Sequence, residues 1–132
     1  MKKELSIEES DRILDEFGRK YVEYMYDGII EKFERLKKED PVFRDFFKNL
    51  DKNLLKDFYK IMNKYFRFSS AGSSLDLFDQ ETYYAIMYKH PETGEFYDLI
   101  YDLFIGSLVG ECIVDDYGWI DRFSKKKLKD GK

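Results

Sequence analysis

Residues 110–124 read GECIVDDYGWIDRFS, and they hold the only tryptophan and the only cysteine of the 132-residue chain. Two glycines and four acidic residues crowd into the same stretch. Large aromatic side chains such as Trp119 and Phe123 contribute most when they are buried against other elements. We therefore interpret residues 110–124 as a loop-rich closing segment, in which Trp119 and Phe123 hold the C-terminal end against the preceding helices.

The N-terminal two-thirds of the chain has the pattern of about four helices. Ser6 and Glu9 have the Ser-x-x-Glu spacing of a capping box, which predicts a helix start. Apolar residues then recur at three- and four-residue steps, the spacing of one helix face; they are Ile13, Leu14, Phe17, Tyr21, Tyr24 and Met25. At Asp27-Gly28 the helix is predicted to break or bend.

Two further helix starts follow. Asp40 precedes Pro41, which is favoured at the first helical position because its missing N–H costs nothing there. Asp51 has the character of a second cap, opening a longer amphipathic segment. Several aromatic residues fall at core spacing and are predicted to be core, namely Phe43, Phe46, Phe58 and Tyr65. The Ser-rich run SSAGSS at 69–74 is predicted to be a loop.

The helical period disappears after this run. Residues 83–89 (YYAIMYK) and a strand beginning at Phe96 are predicted to form a β-hairpin around Pro91 and Gly94, with a positive φ at the glycine. Residues 96–105 are predicted to be strand first and to turn helical near Asp102, although a helix throughout is the alternative. Gly106 and Gly110 are predicted to mark turns. The fold class is therefore α+β.

Length and composition indicate the number of domains, the classes of partner and the location of the protein. One domain is predicted over residues 1–124, with a basic, disordered tail at 125–132. The net charge of −4 argues against binding to nucleic acid, which needs concentrated Lys and Arg. No run approaches the ~20 apolar residues of a membrane span, and no signal peptide is expected because no apolar stretch follows the lysines of MKKELSIEES. With a single cysteine, these features predict a cytoplasmic protein without a membrane partner.

The sequence contains few groups of residues that could act together in catalysis or bind a metal ion. Glu111, Asp115, Asp116 and Asp121 could supply oxygen ligands, but their spacing differs from that of a calcium loop, so we expect solvated carboxylates and no metal. Cys112 could act as a nucleophile only with the single histidine, His90, as its base. A buried packing role for the cysteine and an exposed turn for the histidine are the simpler expectation. Without a glycine-rich phosphate loop, no cofactor is expected.

The C-terminal end resembles a group of small, single-domain bacterial proteins of unknown function that close on G-E, an acidic loop and D-G-W-[IF]-x-R-[FY]-S-K. Ten residues match: Gly110, Glu111, Asp116, Gly118, Trp119, Ile120, Arg122, Phe123, Ser124 and Lys125. Tyr117 makes the loop one residue longer, and residues 13–21 (ILDEFGRKY) are similar to the opening L-D-E-F-G-x-x-V helix of the same group. The resemblance implies a common single-domain architecture and no established activity.

These observations predict a non-enzymatic protein-protein interaction module, and by analogy with small acidic bacterial domains a toxin-neutralising immunity protein. The candidate partner-binding residues are Glu111, Asp115, Asp116, Trp119 and Arg122. For Trp119, burial in the core is favoured over a role at the interface. Two alternatives stay open. One is a divalent-metal-dependent enzyme that uses the C-terminal carboxylates and holds an anionic substrate with Arg122, and the other is a structural homo-oligomer.

Overall fold

A continuous helical path runs through residues 7–39. The computed structural model describes residues 2–126, apart from the side chains of residues 70–72. Helix α1 (Ile7–Val22) leads into a π-helical segment (Glu23–Asp27) and then α2 (Gly28–Glu39). Ser6 caps α1 by accepting a hydrogen bond from the Glu9 N–H at 3.1 Å, as predicted. The path does not break at Asp27-Gly28, because Gly28 itself has right-handed helical torsion angles.

Both predicted aspartate caps are confirmed. The Asp40 carboxylate accepts hydrogen bonds from the Val42 and Phe43 N–H groups at 2.9 and 3.1 Å, and α3 (Pro41–Lys48) begins there. The Asp51 carboxylate accepts one from the Asn53 N–H at 2.9 Å at the start of α4 (Lys52–Tyr65). These side chains satisfy backbone donors that no helical carbonyl can reach.

The Ser-rich run is helical, so the predicted loop was wrong. A second π-helical segment (Phe66–Gly72) follows α4, and α5 (Ser73–Gln80) continues directly from it. Phe66 and Leu75 are buried on either side of the run and fix the helical path by packing. Tertiary burial of this kind outweighs the weak helix propensity of serine and glycine.

The hairpin is present but short. Strand β1 (Met87–Lys89) pairs antiparallel with β2 (Phe96–Asp98), and Gly94 in the connecting turn has the predicted positive φ, +73°. Residues 96–105 were predicted to be strand first and helical from about Asp102, but the strand ends at Asp98 and turns follow it. The Asp98 carboxylate accepts hydrogen bonds from the Ile100 and Tyr101 N–H groups at 2.8 and 3.0 Å, which bends the backbone into consecutive turns.

The closing segment contains two short helices, α6 (Leu108–Ile113) and α7 (Trp119–Phe123). Gly110 was predicted to mark a turn, but it lies inside α6. The Asp79 carboxylate, near the end of α5, accepts hydrogen bonds from the Leu108 and Val109 N–H groups at 2.8 and 2.9 Å. This cap fastens α6 to α5.

One core joins the helices, the hairpin and the closing segment. Its most deeply buried side chains come from all three parts: Ile13, Val22, Ile30, Tyr59, Leu75, Leu99, Leu108, Cys112 and Trp119. The predicted core position of Trp119 is confirmed, since only 1% of it is exposed. Phe43 and Phe58 pack on the core while half-buried. Phe46 and Tyr65 are exposed, so their assignment to the core was wrong.

Residues 124 and 125, near the end of the described chain, are held by a buried carboxylate. Asp27 accepts hydrogen bonds from the Ser124 hydroxyl at 2.6 Å and from the Lys125 N–H at 2.9 Å. The start of the predicted tail is therefore attached, and its residues 127–132 lie outside the described residues. Over residues 2–126, no helix is both long enough and apolar enough to cross a bilayer.

Candidate functional site

The candidate residues chosen from the sequence separate into three places. Trp119 lies in the core, with its ring 5.5 Å from that of Phe17, centroid to centroid. Asp115 and Asp116 lie in the loop between α6 and α7, where Asp115 forms an ion pair with the guanidinium of Arg67. Glu111 and Arg122 line a cleft against α1. Only this last pair forms part of a shared concave site.

Arg67 organises the α6–α7 loop. Its guanidinium donates hydrogen bonds to the Asp121 carboxylate at 2.7 Å and to the Ile113 carbonyl at 2.6 Å, and it reaches Asp115 at 3.2 Å. The hydrogen bond to Asp121 is the main cause of the raised pKa of Arg67. The Asp116 N–H donates to the Asp121 carboxylate at 2.7 Å. Arg67 therefore holds the loop in place, a role that no local pattern indicated.

The cleft at Glu111 is strongly acidic. It has a volume of about 530 Å³ and is lined by Asp11 and Asp15 of α1, by Glu111 and Arg122, and by the backbone turn at Phe104. Arg122 forms an ion pair with Asp15 at 2.8 Å. Three carboxylates facing one guanidinium leave excess negative charge in the cleft.

Burial raises the pKa of the Glu111 carboxyl above its ordinary value. Arg122 acts in the opposite direction, while the charges of Asp15 and Asp11 raise the pKa further. A half-buried carboxylate among like charges favours any ligand that brings positive charge. Among the residues that the structure describes, no group of three or more His, Cys, Asp or Glu side chains is placed to hold a metal ion.

Cys112 and His90 occupy different environments. Cys112 is completely buried, as expected, and burial raises the pKa of its thiol to about 12. Such a thiol is not a nucleophile near neutral pH. His90 was predicted to be exposed, but its side chain is only 12% exposed, with Nε2 lying 3.7 Å from the Glu9 carboxylate. Its Nδ1 accepts hydrogen bonds from the Glu92 and Thr93 N–H groups, which closes the hairpin turn.

The feature that sequence reasoning missed is an exposed apolar surface on α3 and α4, which we call the arm surface. It consists of the exposed side chains Val42, Phe46, Leu54, Ile61 and Tyr65. A groove of about 260 Å³ adjoins it and is lined only by apolar residues: Phe33, Val42, Phe43, Phe46, Phe47 and Phe58. Phe46 is 49% exposed and Ile61 is 65% exposed.

Helix α4 explains this surface, because it carries two adjacent apolar stripes at helical spacing. One stripe is buried or half-buried in the core and continues into the first residue of the following π-helical segment: Leu55, Tyr59, Met62 and Phe66. The other faces outward apart from half-buried Phe58: Leu54, Phe58, Ile61 and Tyr65. A single stripe suffices to attach a surface helix. The second stripe was the signal in the sequence that could have revealed the arm surface.

Charge is distributed unevenly between the two regions. Residues 41–65, which form α3 and α4, contain six Lys or Arg and three Asp. Residues 76–121 contain eleven Asp or Glu and a single Lys.

Comparisons with protein-family models, with the curated proteins and with the solved structures find no match to this chain.

Proposed function

We propose that this chain is a protein-binding module and that the arm surface is its binding surface. The observation that carries the proposal is the outward-facing apolar stripe of α4 beside an aromatic groove. Contiguous exposed apolar surface is uncommon on monomeric proteins, and it is typical of interaction sites. Aromatic residues, phenylalanine among them, are also enriched at protein interfaces relative to the rest of the surface.

The packing of α3 and α4 favours a binding role over a structural role for the exposed side chains of the arm surface. α3 packs against α2 through Phe43 and Phe47, whose rings lie 6.2 and 5.7 Å from Phe33. That contact already attaches α3 to the core. Ile61 and Tyr65 add little to the fold while they remain exposed, and a partner that covered them would gain roughly 25 cal/mol for each Å² of apolar surface removed from water.

The proposal is tested by capture from the native host with tagged wild-type protein and two variants. I61S/Y65S removes two apolar side chains from the arm surface. Y83S is the matched control, because Tyr83 is 93% exposed and lies outside the arm surface. We expect wild type and Y83S to recover the same specific protein, and I61S/Y65S to lose it. Identical recovery by all three proteins would show that the arm surface is not the binding site.

A narrower form of the proposal is a toxin-neutralising immunity protein, which the resemblance suggests by analogy of class. It is tested by co-expressing this chain with the product of the adjacent gene. If that product arrests growth, wild type should restore growth and I61S/Y65S should not. Failure of wild type to restore growth would remove the toxin-neutralising role and would leave the broader binding proposal standing.

A further inference from the structure

We propose that a cavity beside Tyr26 binds a small organic carboxylate that also carries a hydrogen-bond donor. This Tyr26 cavity has a volume of about 290 Å³, and Tyr26, Asn63, Lys64 and Arg67 are among the residues that line it. None of the described residues that line it belongs to the arm surface or to the groove beside that surface. The inference therefore goes beyond the proposed function and does not depend on it.

Both π-helical segments contribute to the Tyr26 cavity. Tyr26 comes from the first segment and Arg67 from the second, and the two segments contact each other. Single turns of π-helix occur frequently at functional sites. The Arg67 guanidinium is already fixed by its hydrogen bonds to the Asp121 carboxylate and the Ile113 carbonyl. One wall of the cavity is therefore in place before a ligand arrives, which lowers the entropic cost of binding.

Two polar groups of the lining residues have no hydrogen-bond partner in the part of the chain that the structure describes. Tyr26 is only 6% exposed, and its hydroxyl is one of these groups. Burial raises the pKa of Tyr26, so the hydroxyl stays protonated at neutral pH and can donate a hydrogen bond. The other group is Oδ1 of Asn63, which is buried. Because buried polar groups are nearly always hydrogen-bonded, two unsatisfied groups beside one cavity indicate that a ligand supplies the missing partners.

The lining residues define the chemistry of that ligand. Lys64 forms no ion pair within residues 2–126, so its ammonium is available to an anion. The ammonium and the Tyr26 hydroxyl are both donors, and together they suit the two oxygens of a carboxylate. Asn63 Oδ1 is an acceptor and requires an N–H or O–H group on the same molecule. The volume lies at the lower end of the range for ligand pockets, roughly 300–1,000 Å³, which restricts the ligand to small acids.

NMR titration of the backbone amide signals tests the proposal with four probes. Lactate and alanine each carry a carboxylate and a neighbouring donor, propionate lacks the donor, and lactamide lacks the carboxylate. We expect saturable shifts at residues 63–67 and 120–124 with lactate, with alanine or with both. Each contact to a charged group contributes ~1.5–3 kcal/mol, so lactamide should bind roughly tenfold more weakly or worse. Propionate should also bind more weakly than the probe that carries the donor.

Three variants connect the binding to the proposed contacts. Y26F keeps the ring and removes the hydroxyl, and K64Q removes the charge. Each should weaken binding of lactate or alanine roughly tenfold or more. N63A removes the acceptor and should abolish the preference over propionate. Thermal melting checks that each variant is folded.

The matched control is K60Q, which removes an exposed lysine one turn earlier on α4 that does not line the Tyr26 cavity. It should bind the probes like wild type, and so should I61S/Y65S, which changes only the arm surface. Absence of saturable shifts with both lactate and alanine overturns the inference, because ordered water then suffices for Asn63. Binding that Y26F and K64Q leave unchanged, or equal affinity for lactamide, also overturns it. Neither result bears on capture of a protein by the arm surface.

Discussion

Trp119 is the side chain through which the closing segment is attached to α1. Its indole is 1% exposed and lies within ring contact of Phe17 and Tyr21. Replacing a fully buried tryptophan with alanine removes these contacts and leaves a cavity. We expect W119A to lower the free energy of unfolding by ~3–5 kcal/mol, measured by urea denaturation. A loss below ~1 kcal/mol would contradict the proposed role in closing the fold.

Gly18 makes room for the Trp119 indole. A Cβ at this position would overlap the ring, while a Cβ at exposed Gly106 would meet nothing within 4 Å. Overpacking of this kind typically costs ~1–3 kcal/mol, against the ~1 kcal/mol that alanine gains over glycine inside a helix. We expect G18A to unfold at lower urea concentration than wild type. The matched variant G106A should stay close to wild type, and equal midpoints for all three proteins would refute the close packing.

Glu111 gives a prediction about pH. Burial raises the pKa of its carboxyl, and the nearby Arg122 opposes that rise. Because the folded protein binds this proton more tightly than the unfolded chain does, the free energy of unfolding is higher at acidic pH. It falls as the pH rises through the raised pKa. E111Q should therefore be more stable than wild type at neutral pH but not at acidic pH. In carboxyl NMR titrations, R122Q should raise the pKa of Glu111 and D11N should lower it. If neither variant changed that pKa, Arg122 and Asp11 would not act on Glu111 as the cleft geometry requires.

At the scale of elements, α6 depends on a cap supplied from another helix. The Asp79 carboxylate accepts hydrogen bonds from the Leu108 and Val109 N–H groups and from the Ser107 hydroxyl. Hydrogen bonds to a charged group contribute ~1.5–3 kcal/mol when one partner is removed. We expect D79A to cost about 2 kcal/mol in chemical denaturation. D76A changes a neighbouring exposed carboxylate and should cost less than ~0.5 kcal/mol, and equal costs would rule out the cap.

Helix starts were predictable where one residue decides them. Ser6, Asp40 and Asp51 satisfy local backbone donors, so the sequence around each of them contains the whole interaction. The Ser-rich run and the cap at Asp79 were not predictable in this way. Leu75 stabilises the helix through burial in the core, and Asp79 reaches a helix almost thirty residues away. Distant contacts of this kind leave no periodic pattern.

At the scale of the whole molecule, the exposed stripe of α4 should be detectable in the native protein. An environment-sensitive apolar dye is expected to fluoresce with folded wild type, because exposed apolar surface binds such dyes. I61S should reduce the fluorescence without lowering the melting temperature, since Ile61 is 65% exposed. Y83S serves as the control. Equal fluorescence for I61S and wild type would show that the dye binds elsewhere.

The sequence by itself determined the α+β class, three of the helix caps, the hairpin turn at Gly94 and the burial of Trp119 and Cys112. Each of these follows from local backbone chemistry or from the cost of exposing a large or apolar side chain. Only the tertiary structure decided which of the two apolar stripes of α4 faces the core. It also brought Asp11 and Asp15 to Glu111 and placed Asp115 with Arg67, because side chains far apart in the chain meet only after the core has formed.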